Sequence, residues 1–187
     1  MNIKIKLSLW FVATITVTVI VVYLLKMLPK YFPVESFLFA FELHFLLMAW
    51  YAFSLPKLKL QYNSFYYEPK SFEKKGLIYS CFGVNVFRKF LKIIQWERFS
   101  NSANGKIKYD LTRLKKREKH TREAELAHII LVFHFIVIAL FFCQTYNVFW
   151  LLFLNVLFHL YPVFVQRYNR PRYLQLISII ELRKNLE

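Results

Sequence analysis

Glycine is scarce in this chain, with three residues in 187, and cysteine scarcer still, with two. The low glycine count leaves no glycine-rich loop to cradle a nucleotide phosphate. Cys81 sits in a basic stretch and Cys143 inside an apolar block, so a disulfide framework is not expected. Acidic residues are also few: 11 against 26 Lys and Arg, a formal net charge of +15. Such a charge suits nucleic acid or an anionic membrane surface. No zinc-ligand cluster or base-stacking signature accompanies it, and adjoining apolar blocks favour the membrane. The basic start resembles a signal peptide, but its apolar run is too long and no small-residue cleavage site follows. It reads as a retained first span.

What the chain does have is apolar mass, 57% of residues with 21 Phe, gathered into blocks. The expected fold is an all-α integral membrane protein, a single domain over 1–187 with four transmembrane helices. Their expected spans are about 5–28, 34–55, 124–142 and 148–165. Thr14, Thr16 and Thr18 in the first span can return their hydroxyls to backbone carbonyls, which makes them compatible with lipid. Tyr31 and Phe32 beside Lys30 look like an interfacial anchor. Pro56 and Lys57 close the second span.

Residues 56–123 form the one long loop. They include Pro69, Gly76, Gly83 and the polar stretch 100–105, and end in the charge run RLKKREKHTRE. Lys57 to Arg122 supply 17 of the 26 basic residues. Within the loop FGVNVFRKFLKIIQW reads as a short amphipathic helix. It would either lie in the membrane interface with Arg88, Lys89 and Lys92 toward headgroups or dock as a surface helix. Residues 166–187 form a basic tail, with a short amphipathic helix after Tyr173. The turn between spans three and four carries no basic residue. The positive-inside rule therefore places both termini and the loop in the cytoplasm.

Polar residues at membrane depth are costly and tend to face the protein interior. Counting along the spans puts His44 and His134 roughly 15 Å deep and His159 near ~12 Å. Three histidines could thus share a layer, whereas Glu42 lies on another face of span two from His44. No ligand spacing supports a metal, and satisfied interhelical histidines are the expectation. Glu125 and His128 are three apart, on one helix face. A carboxylate that orients a histidine suits a general base; a polar helix end is the plainer reading. Arg122, Arg167, Arg170 and Arg172 are donors suited to phosphate or carboxylate, or ordinary positive-inside anchors.

The segment HTREAELAHI at 120–129, followed by YPVFVQRYNRPRY at 161–173, resembles the glycosyl-4,4'-diaponeurosporenoate acyltransferase family. Its pattern has a Glu-Thr-x-Arg-Ala-Glu-x-x-His-Trp stretch and an Asn/Gln-Arg-Tyr-Asn-Arg stretch. Thr121, Ala124, Glu125 and His128 match the first; Gln166, Arg167, Tyr168, Asn169 and Arg170 match the second. His120, Glu123 and Ile129 depart from it, as does Phe87-Arg88 where the family has Trp-Lys.

The resemblance implies a multi-pass protein of the bacterial cytoplasmic membrane that moves a fatty acyl group onto a hydroxyl of a lipid-like acceptor, such as a glycosylated carotenoid. It implies no bound cofactor; the acyl thioester, on coenzyme A or acyl-carrier protein, is a substrate. His128, oriented by Glu125, would be the catalytic base. Arg122, Arg167, Arg170 and Arg172 would hold the donor, and Gln166 or Asn169 would stabilise the oxyanion. Expected partners are membrane lipids, the acceptor, and a membrane protein or second copy of the chain, but not nucleic acid. The competing expectation is a non-catalytic subunit that docks and stabilises a partner membrane enzyme.

Overall fold

The computed structural model describes residues 3–54, 62, 64–95 and 110–186. The polar stretch 100–105 and the Pro56–Lys57 stop lie outside the described residues. All regular structure among the described residues is helical. Helix α1 is Ile3–Tyr31, α2 Phe37–Ser54, α3 Ile78–Cys81, α4 Val84–Ile93, α5 Leu111–Phe142, α6 Phe149–Asn155 and α7 Tyr161–Lys184. Two 3-10 turns, Phe65–Tyr67 and Ser71–Gly76, precede α3, and a π-turn, Val156–Leu160, joins α6 to α7.

Among the described residues four helical stretches are long and apolar enough to cross a membrane: Trp10–Tyr31, Phe37–Ser54, Leu111–Phe142 and Phe149–Lys184. The last two are longer than the sequence pattern suggested. The charge run before Ala124 is the first part of α5, and the segment after Tyr173 continues α7 without a break. Lys, Arg and Glu are good helix formers, so polarity ends an apolar window without ending a helix. Helix α7 also passes through Pro171. The π-turn stands just before Pro162, whose missing N–H disturbs the regular ladder and favours a local widening.

The chain divides into two compact units, one of residues 1–60 and 129–159, the other of 61–128 and 160–187. The core of the first is built by Phe39, Leu43 and Tyr51 of α2, Leu131, Phe135 and Ala139 of α5, and Leu151 and Leu154 of α6. Rings meet edge to face, as in Phe37–Trp150 and Phe39–Phe142. Thr14, Thr16 and Thr18 each bond the carbonyl four residues back, at 2.9, 3.0 and 2.7 Å. The Trp50 indole donates to Thr18 Oγ1 at 2.9 Å, tying α2 to α1.

Of the three deep histidines, two meet. His44 Nε2 lies 3.1 Å from the Leu151 carbonyl, so it carries the hydrogen. His44 Nδ1 is then the acceptor for His159 Nε2–H at 2.9 Å. Phe135 stacks on His44 with ring centroids 3.6 Å apart. His134 is turned elsewhere: Nδ1 is 2.9 Å from the Ile130 carbonyl, and the Tyr51 hydroxyl is 3.1 Å from its ring nitrogens. The expected layer of three is therefore a pair plus one, because counting along helices fixes height and not facing. Among the described residues no group of three or more His, Cys, Asp and Glu could hold a metal ion.

The second unit gathers the 3-10 turns, α3, α4, the first part of α5 and α7. Gly76 closes the second 3-10 turn with φ +86°, a left-handed conformation that L side chains resist. A Cβ there would sit 2.9 Å from the Tyr168 carbonyl oxygen of α7. The turn and the helix are in backbone contact at this point. Gly76→Ala is expected to weaken this contact and lower stability by more than the ~1 kcal/mol typical of a point substitution, because strain and overlap add. Thermal unfolding in detergent checks it against Gly83→Ala, where the added Cβ meets only a side-chain hydroxyl at 3.6 Å.

Candidate active site

The site in the second unit grows from two helix faces. On α7, Arg167 and Arg170 are three residues apart and share a face; on α5, Thr121 and Glu125 are four apart and do the same. Arg167 Nε donates to Glu125 Oε1 at 2.6 Å, and Arg170 Nη2 donates to Glu125 Oε2. One carboxylate thus receives a guanidinium on each oxygen. Arg170 completes its set with Thr121 Oγ1 at 2.9 Å and the Tyr67 carbonyl at 3.0 Å. Arg167 reaches Glu73 Oε1 at 3.2 Å and the Tyr66 carbonyl at 3.0 Å.

Glu73 is the second carboxylate. The Tyr79 hydroxyl donates to its Oε1 at 2.6 Å, and the Lys70 backbone N–H donates to Oε2 at 2.9 Å. Glu73 and Arg170 are 1% exposed, Arg167 8% and Glu125 fully buried. Two positive and two negative charges balance within the cluster. Buried charges persist only when paired and hydrogen-bonded, and here both conditions hold. Aromatic rings enclose the cluster: the Arg167 guanidinium lies 4.4 Å from the Tyr66 ring centroid, and that of Arg170 5.5 Å from Tyr67.

Beside this cluster opens a pocket of about 310 Å³, lined by Tyr66, Lys70, Phe72, Glu73, Tyr79, Val163, Phe164 and Arg167. Cations and rings on its wall suit a ligand with an anionic or oxygen-rich end and an apolar body. Burial, followed by the hydrogen bond and charge of Glu73, pushes the Tyr79 hydroxyl well above the usual tyrosine range, so it stays protonated. Tyr66 and Tyr67 are raised too, by burial and then by the Glu125 charge.

The sequence-derived residues fall into distinct places. Glu125, Arg167 and Arg170 are brought together in the buried cluster, so the bonds that fix Glu125 come from α7. His128 lies one turn further along α5 from Glu125. Arg122 sits beside the cluster, with Nε 2.6 Å from Glu118 Oε1 and Nη1 2.8 Å from the Tyr62 carbonyl. Gln166 and Asn169 are half-buried on α7. Arg172 folds back onto Tyr168, with its guanidinium 3.6 Å from the ring centroid and a bond to the Tyr168 carbonyl. Glu73, Lys70, Tyr66 and Tyr79 were not singled out as site residues from the sequence, because they lie in or between elements too short to carry a periodic signal.

The profile of the CrtO family, glycosyl-4,4'-diaponeurosporenoate acyltransferase, matches residues 63–179. The chain belongs to this family. The matched stretch contains Glu73, Tyr79, Glu125, Arg167 and Arg170, the whole of the buried cluster and its pocket. No curated protein and no solved structure matches the chain.

Tyr79→Phe is expected to cost about 1.5–3 kcal/mol, the usual worth of a hydrogen bond to a charged group. A raised tyrosine pKa adds stability that is intact below the free value of 10.0 and is lost as pH climbs above it. The parent protein should therefore lose stability more steeply above that pH than Tyr79→Phe does. Chemical denaturation across an alkaline pH series measures the difference in slope.

Proposed function

We propose that this protein is a membrane acyltransferase that moves a fatty acyl group from a thioester donor to a hydroxyl of a lipid-like acceptor. The family name points to a glycosylated carotenoid as the acceptor class. The observation that carries the reading is the charge-balanced Glu–Arg cluster walling an aromatic pocket inside the matched stretch.

In this reading the acceptor hydroxyl oxygen attacks the thioester carbonyl carbon while His128 takes its proton. The tetrahedral oxyanion is stabilised by the amide of Gln166 or Asn169. Collapse breaks the C–S bond, and the departing thiolate takes the proton from His128. Glu125, locked by two arginines, stands one turn from that histidine on the same helix. Lys70 and Arg122 supply cations for the donor, whether coenzyme A or acyl-carrier protein. Arg167 holds Glu73 and presents its remaining edge to the pocket.

The test is acyl transfer in membranes from the parent chain, His128→Ala and Glu125→Gln. His128→Ala should lower the rate by ~10²–10⁴-fold at normal protein level. Glu125→Gln should also lower protein yield, since removing one partner of a buried pair costs about 3–5 kcal/mol. Full activity of His128→Ala would sink the assignment, and a stoichiometric co-purifying enzyme would turn the reading toward a docking subunit.

The proposal includes both termini in the cytoplasm, from the distribution of basic residues. Cys143 and Cys81 are both exposed. An impermeant maleimide added to intact spheroplasts should label Cys143, in the turn after α5, and spare Cys81; the reverse pattern would invert the topology.

A further inference from the structure

Helix α4 presents two unlike faces besides the one it buries. Val84 is fully buried, and Phe87 stacks on Tyr161 with centroids 5.0 Å apart, which fixes the helix against α7. Val86, Phe90 and Ile93 follow at i, i+4 and i+7, hence in one stripe. They are 71%, 47% and 78% exposed. Arg88, Lys89 and Lys92 occupy another side and are exposed. Apolar residues left bare beside a run of cations are the composition of a helix lying in a lipid interface.

A second feature stands at the same place. The ring of Tyr168 carries two guanidinium groups, Arg88 of α4 at 5.0 Å and Arg172 of α7 at 3.6 Å from its centroid. Elsewhere in this unit paired carboxylates neutralise Arg122, Arg167 and Arg170. Among the described residues no carboxylate forms an ion pair with Arg88 or Arg172. Two guanidinium groups on one ring raise the local positive potential, which an anion lowers. Guanidinium donors match phosphate oxygens in geometry.

We propose that α4 is an interfacial helix and that Arg88 and Arg172 together bind the phosphate of an anionic phospholipid. The Val86–Phe90–Ile93 stripe lies among its acyl chains, and Lys89 and Lys92 lie among neighbouring headgroups. The stripe decides for a lipid over a soluble phosphate, because a water-borne ligand would leave those side chains uncovered. This inference is independent of the acyl-transfer reading.

The full chain, purified in mixed micelles of phosphatidylglycerol and phosphatidylcholine, is examined by native mass spectrometry. Preferential retention of phosphatidylglycerol is expected. Arg88→Gln with Arg172→Gln should weaken retention roughly five-fold per arginine, the worth of one basic residue at an anionic surface. Should that pair fail to fold, Lys89→Gln with Lys92→Gln should weaken it by a similar factor per charge. Equal retention of both lipids by the parent, or unchanged retention in the folded variants, overturns the proposal. Retention of coenzyme A in place of phosphatidylglycerol would overturn it in favour of a soluble phosphate. In a Cys81→Ser, Cys143→Ser background, a dye on Ile93→Cys should be quenched by brominated acyl chains more strongly than one on Asn85→Cys; equal quenching also overturns it.

Discussion

Two arginines cannot be buried on one face of a helix unless carboxylates come to meet them, and the second unit is organised by that demand. Arg167 and Arg170 project from α7, and their donors are met by Glu125, Thr121 and Glu73 and by two backbone carbonyls of the first 3-10 turn. These partners come from three stretches of chain, α5 and the two 3-10 turns. The cluster therefore specifies where α5 and the turns stand relative to α7 within that unit, which apolar contacts alone would leave adjustable. Its net charge of zero matters as much as its bonds, since an odd charge at this depth would cost several kcal/mol. The pocket inherits its wall from this arrangement, with Glu73 and Arg167 serving both the cluster and the cavity.

The four apolar helices were legible because lipid imposes a simple rule of length and hydropathy. Their true ends were less so. Leu111 begins α5 well before the apolar stretch, since charged residues of high helix propensity extend a helix beyond its hydrophobic window. The QRYNR element stood out through the family resemblance, and Glu125 by its spacing from His128. Their mutual pairing did not, because sequence separation ranks neighbours along one helix and says nothing of partners on another. Glu125 was read with His128 three residues on, while its carboxylate is fixed by residues 42 and 45 positions away.

Glu73 and Tyr79 illustrate the harder case. They sit in elements of a few residues, Glu73 in a 3-10 turn and Tyr79 in the four-residue α3, too short for periodicity to reveal a buried face. Gly76 offered the one local hint, since a glycine in so glycine-poor a chain marks a position that demands it. The deep histidines show the complementary error. His44 and His159 do meet, yet His134 points to Tyr51 instead, because facing depends on helix rotation.

The edge-to-face rings of the first unit carry a consequence for how each part tolerates change. Contacts such as Phe37–Trp150, Phe39–Phe142 and Phe41–Phe158 contribute about 0.5–1.5 kcal/mol apiece, and the cohesion is shared among many. Losing one ring leaves the others in place. The second unit concentrates its cohesion in four side chains, any one of which strands a charge when removed. Mutational robustness is thus divided unevenly along the chain: drift is absorbed among the aromatics, while the stretch that carries the charged cluster is brittle. Sequence divergence should accumulate in the rings long before it reaches those four side chains.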